Sequence, residues 1–258
     1  MSSMEKYNKH TNHNVTQSNH LIRAAYELSL NEKRLLMLAL SKIDPTKWTQ
    51  DWEITVFAKE WSDVYGRELK HAYGDLEHAT TLIMDRKITF RTGPDVTEKK
   101  RTTETGRWVA WARYTPGDCK VTLEIPKGLR KYLAFAMLEE EGFTSYKLLA
   151  AGKLRSPNSI RMYEFLMQFK STGMLIITVD ELRERLELHD KYKLFSDLRK
   201  WVIDPAVNDI NKNTDYLAEW EVHKRKGRKA TNLRFTFKEK KQKEFDFGAP
   251  SLNKGKAA

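Results

Sequence analysis

One cysteine, Cys119, is all that 258 residues contain, which excludes an intrachain disulfide and any zinc site built from several thiolates. It reads as an ordinary strand residue, with no neighbours that would make it a nucleophile. Long apolar runs are missing too. No stretch of 18 uncharged apolar residues occurs, and the polar opening from Met1 to His20 lacks the apolar core of a signal peptide. A cytoplasmic chain with no membrane association is expected. The seven histidines are scattered without a His-hydrophobic-His pair, His10 and His13 sitting in a polar segment, so a metal-dependent strand-nicking nuclease is disfavoured. No Gly-x-x-x-x-Gly-Lys-Ser/Thr run is present to cradle a nucleotide, and the ten tyrosines mostly fall on apolar faces. Neither cofactor, metal nor catalytic residue is expected.

What is present is a core and an uneven charge. With 40% hydrophobic and 11% aromatic residues the chain has material for one large domain or two small ones. The formal charge of +11 favours a polyanionic partner. Residues 1–142 carry a net +2 and residues 143–258 a net +9, so the excess lies in the second half.

The periodicities predict an α+β protein. Residues 1–18 lack apolar patterning and read as a disordered arm. An amphipathic helix follows from Leu30 to Leu40, with Ser29 or Asn31 as its cap; the seven-residue spacing of Leu21, Leu28 and Leu35 is taken as core packing, not a zipper. A strand at 52–56, a helix at 57–64 and a longer helix at 67–84 come next, the last burying Leu69, Tyr73, Leu76, Ala79, Leu82 and Ile83. Strands are expected at 87–91, 108–114 and 121–125, with the polar segment 92–106 looping out and Thr115-Pro116-Gly117-Asp118 forming a turn. A helix from 126 to 138 leads to Glu139-Glu140-Glu141-Gly142, where the domain boundary is placed.

The second half offers helices at 145–154 and 158–170, a strand at 174–178, helices at 180–188 and 193–212, and strands at 216–223 and 231–237. Both halves thus run helix, strand, helix, long helix, hairpin. Ile54-Thr55-Val56 is echoed by Ile177-Thr178-Val179, which points to two tandem winged-helix domains related by internal duplication. The expected units are 19–142 and 143–238, with a basic flexible tail over 239–258.

The second unit has the order helix, turn, helix, strand, basic turn, strand. In that plan the second helix enters the major groove and the hairpin tip lies on the neighbouring backbone. Leu194, Leu198, Val202, Ala206 and Ile210 form an inward stripe, leaving Lys193, Ser196, Asp197, Arg199 and Lys200 as candidate base-reading residues. The tip Lys224-Arg225-Lys226-Gly227-Arg228-Lys229 places five cations, Lys224, Arg225, Lys226, Arg228 and Lys229, around one glycine, a composition suited to phosphate contact by counterion release. Asp204-Pro205 within the long helix predicts a kink or restart, with Asp204 as cap. Arg67, Lys70 and His71 are the positional counterparts in the first unit, where the near-neutral charge makes a structural duty almost as plausible as a weak contact to DNA.

Three segments carry a resemblance: Leu30-Asn31-Glu32-Lys33-Arg34-Leu35, Ser159-Ile160-Arg161-Met162-Tyr163-Glu164-Phe165-Leu166, and the run from Val202 to Asn211. Together they resemble the replication initiators of iteron plasmids, the group containing the F and R6K initiators, over roughly residues 20–238. The resemblance implies that the second domain binds double-stranded DNA at repeated origin sites while the first adds weaker contacts and a homodimer interface. It also implies autoregulation of the initiator's own gene and dependence on host replication factors. A stand-alone winged-helix transcriptional regulator is the alternative, since fold alone does not separate the two.

Overall fold

The computed structural model describes residues 13–47, 51–92, 102–133, 142–188 and 190–240. The chain opens with a strand β1 (Asn14–Ser18) and a short helix α1 (Asn19–Arg23). Helix α2 (Leu30–Leu40) follows, closed by a capping box: the Glu32 amide donates to Ser29 Oγ, and the Ser29 amide donates to Glu32 Oε2 at 2.6 Å. Strand β2 (Glu53–Phe57), helix α3 (Ala58–Tyr65) and helix α4 (Leu69–Ile83) come next. A hairpin, β3 (Lys87–Thr92) and β4 (Thr102–Arg107), precedes a second one, β5 (Trp111–Thr115) and β6 (Lys120–Glu124). One helical turn, α5 (Lys127–Arg130), ends this half.

The second half consists of β7 (Phe143–Lys147), α6 (Leu148–Gly152), α7 (Pro157–Met167), β8 (Met174–Thr178) and α8 (Val179–Arg185). Its long helix runs through α9 (Phe195–Leu198), a π-helical turn (Arg199–Ile203) and α10 (Asp204–Asn213). The strands β9 (Tyr216–Lys226) and β10 (Lys229–Glu239) complete it.

The two halves repeat one topology. Each has a three-stranded antiparallel sheet, in the orders β2-β6-β5 and β8-β10-β9, so the last strand is central in both. Each first strand runs directly into a helix whose first residue follows the strand's last. The three-residue echo is not the structural equivalence, however. Val56 lies within β2 and pairs with Val121, whereas Val179 already begins α8. Phe57 and Thr178 are the matching last strand residues, so the repeat is offset by two from the one the echo suggested.

Several segments differ from their sequence-based expectation. The arm placed at 1–18 contains β1, which pairs in register with β7 from Asn14 opposite Lys147 to Ser18 opposite Phe143. Val15 and Gln17 are buried by this pairing, though only one of them is apolar, so alternation gave no warning. That ladder crosses the boundary expected at 142. Residues 145–147, expected as the start of a helix, instead belong to β7, which turns Thr144 and Tyr146 inward. The segment expected to loop out contains β4, whose six residues are all exposed; it is held by its ladder with β3 and by Glu104, which accepts from Lys131 Nζ at 2.8 Å and from Tyr132 Oη at 3.0 Å. Cys119 is a turn residue with φ of 55°, its thiol donating to Pro116 O. Leu69 and Leu194 stay exposed because each lies at or before the first turn of its helix, beyond the packed face. Glu139–Glu141 and the tail beyond 240 lie outside the described residues.

One hydrophobic cluster runs through both halves, and a buried polar network ties them together. Glu164 on α7 is fully buried and pairs with Lys33 of α2 at 2.9 Å and with Arg161 at 3.3 Å. It also accepts from Tyr146 Oη and from Gln17 Nε2 at 2.8 Å. Arg161 donates further to Tyr26 Oη and to the carbonyls of Ile22 and Ala24. Burial by itself would raise the Glu164 pKa, but Lys33 and Arg161 beside it hold the carboxyl below its ordinary value.

Candidate nucleic-acid interface

The long helix of the second half is shaped by Pro205. Proline has no amide hydrogen and its ring crowds the carbonyl four residues back. The backbone answers with the π-helical turn at 199–203, where the Asp204 amide donates to Arg199 O, five residues back, before α10 resumes with Pro205 in its first turn. A π turn advances less around the axis per residue than the roughly 100° of an α-helix. Leu198, Val202 and Ile203 are therefore all buried, and Trp201 is turned outward. Of the expected inward stripe, Leu198, Val202, Ala206 and Ile210 are buried and Leu194 is not.

The helix begins at Phe195, so Lys193 precedes it as an exposed residue of the connecting segment. Ser196, Arg199 and Lys200 are exposed on the first turns, and Asp197 is half-buried. Arg199 Nε donates to Asp204 Oδ2 at 3.1 Å, and its guanidinium sits 5.8 Å from the Trp220 ring centre. Asp204 is thus a partner for Arg199 and for Trp220 Nε1, which donates to it at 2.9 Å, and not the cap expected of it. Lys200 Nζ lies 4.7 Å from the Trp201 ring centre.

Three side chains that the sequence reading passed over hold this helix in place. Arg183 of α8 donates to the carbonyls of Lys191, Tyr192 and Lys193, fixing the connection, which contains Tyr192 at a φ of 53°. Asn211 clamps α10 to β9 by a pair of bonds with Ala218, accepting from its amide at 2.6 Å and donating to its carbonyl at 2.9 Å. Lys240, assigned to the tail, donates to the carbonyls of Asn211 and Thr214 at the helix C-terminus, where a cation complements the helix dipole.

The β9–β10 hairpin turns through Gly227 and Arg228, with Gly227 at a φ of 59°. A two-residue hairpin loop demands such a conformation, which glycine adopts without strain. Lys224, Arg225, Lys226, Arg228 and Lys229 are all exposed, and among the described residues no carboxylate pairs with any of them. A register shift between Ala230 and Leu233 bends the ladder just below the tip.

The corresponding cations of the first half are engaged. Arg67 lies ahead of α4 and donates to Asp75 Oδ2 at 2.7 Å, and Lys70 pairs with Glu68 at 3.0 Å. His71 is exposed in the first turn of α4. The β5–β6 hairpin carries no cationic run, and its Lys120 pairs with Asp118. Among the described residues no cluster of three His, Cys, Asp or Glu side chains could hold a metal, and no helix is long and apolar enough to cross a membrane.

Two copies of one helix-turn-helix-and-hairpin plan, the second with an exposed cationic wing, define a tandem winged-helix protein of the DNA-binding class. The chain belongs to the replication initiator family: the model for the initiator replication protein WH1 domain matches residues 14–167, and that for the WH2 domain matches residues 178–237. The first match runs past residue 142, consistent with the pairing of β1 and β7. The chain is 28% identical over 226 residues to an uncharacterized 27.6 kDa protein of Escherichia coli, covering 81% of this chain and 89% of that one. It is 25% identical over 250 residues to the PI protein of Escherichia coli, covering 86% and 82% respectively. Among solved structures, the Pi initiator protein in complex with iteron DNA superposes with a TM-score of 0.73 at 22% identity, over 88% of this chain and 97% of that one.

Proposed function

We propose that this protein initiates plasmid replication by binding repeated double-stranded sites, iterons, at its origin, and that it acts in the cytoplasm by binding alone without catalysing a reaction. The observation that carries this reading is the second winged helix of a family initiator. Its wing cations are exposed with no carboxylate partner among the described residues, and an exposed reading turn is anchored by Arg183, Asn211 and Lys240. Lys193, Ser196, Asp197, Arg199 and Lys200 face base edges in the major groove, Arg199 exchanging Asp204 for DNA. Lys224, Arg225, Lys226, Arg228 and Lys229 take phosphates. Arg67, Lys70 and His71 add weaker backbone contacts, since the first two must give up carboxylate partners. The first domain also supplies the homodimer surface, and host replication factors complete initiation.

The decisive experiment footprints the full chain on the DNA flanking its gene and asks whether a plasmid carrying that DNA replicates only when the chain is supplied. Protection of several direct repeats, whose deletion ends replication, is the expected result. Protection of a single inverted repeat at a promoter, with replication unaffected, would make the protein a regulator instead.

A further inference from the structure

The two most exposed large apolar side chains among the described residues are Leu194 at 65% and Trp201 at 56%. They bracket the reading turn on either side. Leu194 is the last residue before α9, and Trp201 is the residue that the π turn rotates out of the helix's buried face. An α-helical path through the same residues would carry Trp201 nearer the core, so its outward position follows from Pro205. More than half of each residue's surface is open to solvent. The Trp201 ring has Lys200 Nζ beside it, so it belongs to the same surface as the cations.

A partner for this surface must satisfy cations and apolar groups together. Phosphates meet the cations but offer nothing to a leucine or an indole face. In the major groove the one apolar group on the base edges is the 5-methyl of thymine. We propose that Leu194 and Trp201 read thymine methyls, so that the helix selects thymine at positions flanking the bases taken by Ser196 and Lys200. The inference rests on the assignment of this helix to the major groove. It adds a specificity that charge does not provide, because the cations by themselves favour guanine.

The test uses the full chain and a duplex selected by it from a random library. Each thymine of the selected site is replaced in turn by deoxyuridine, which keeps every hydrogen bond and removes only the methyl. One or two replacements should weaken binding about fourfold each, the effect of burying one methyl. In Trp201→Ala or Leu194→Ala the matching replacement should cost nothing further, while Lys200→Ala should keep the penalty. Both apolar positions are exposed, so the variants are expected to fold, which thermal melts would verify. Uridine tolerated at every position by the unsubstituted chain overturns the proposal, as does a penalty that persists in both alanine variants. A Trp201→Ala defect confined to single-stranded oligonucleotides also overturns it, since the ring would then stack on unpaired bases. If instead Lys200→Ala leaves discrimination between selected and random duplex intact, the helix is not the reader, and it is the underlying assignment that fails.

Discussion

Removing Lys226 and Arg228 together isolates what the wing contributes. Both flank Gly227 at the tip, both are exposed and neither is paired with a carboxylate among the described residues, so their replacement by alanine releases no buried group. Each phosphate contact contributes a slope of about −0.9 to the dependence of log K on log salt, so raising salt from about 50 to 200 mM costs about 3.5-fold per contact. A variant lacking two contacts should therefore lose about 12-fold less affinity than the unsubstituted chain over that interval. The gap between the two proteins is widest at low salt and closes as salt rises. Because phosphates carry no sequence, the change should be the same on a selected site and on a random duplex. Fluorescence anisotropy at four or five salt concentrations on both duplexes measures this. An unchanged slope, or a loss restricted to the selected site, would refute the assignment of the wing to the backbone.

The Lys200→Ala change should act in the opposite sense, costing about 1–3 kcal/mol on the selected duplex and much less on a random one, as paired titrations will show. Glu164→Gln keeps the shape at the centre of the buried network but leaves Lys33 and Arg161 uncompensated, so chemical denaturation at neutral pH should report a loss of about 3 kcal/mol. The Glu164 carboxyl is lowered in the folded state, so its contribution is complete above the ordinary carboxylate value of 4.5 and fades as pH falls through the lowered one. The difference between the two proteins should shrink in acid. Gly173→Ala should cost about 2 kcal/mol in a thermal melt, since Gly173 has a φ of 65° and an added Cβ would stand 2.8 Å from Phe237 O. An Asn211→Ala variant should weaken specific binding more than its melting point suggests, because the two bonds to Ala218 set the helix against the wing; equal losses on both duplexes would argue for a purely structural role.

Much of this was legible in the sequence where burial follows a period. The α2 cap at Ser29 and the helix faces at Leu76, Ala79 and Ile83 read directly, as did the break at Asp204-Pro205 and the turn at Gly227. What failed to read was held together by partners far along the chain. Gln17 is polar yet buried against Tyr146 and Glu164, and β4 has no apolar side chain at all, so neither strand has a local signature. The candidate site was legible in its charges and not in its supports. Arg183, Asn211 and Lys240 look like solvated polar residues until the carbonyls and amides they bind are brought beside them.

The pairing of β1 with β7 also sets a waiting time. Thr16 meets Ser145, 129 positions later, so at about 5–20 residues per second a ribosome needs roughly 6 to 26 s to deliver the partner strand. For that interval the earliest strand among the described residues emerges with both of its edges unsatisfied, and its ladder cannot form before β7 has been made. Its outward positions, Asn14 and Thr16, are polar, which keeps a waiting strand from recruiting a neighbour. Apolar substitutions at these two positions should therefore reduce the yield of newly made protein more than they lower the stability of the finished one.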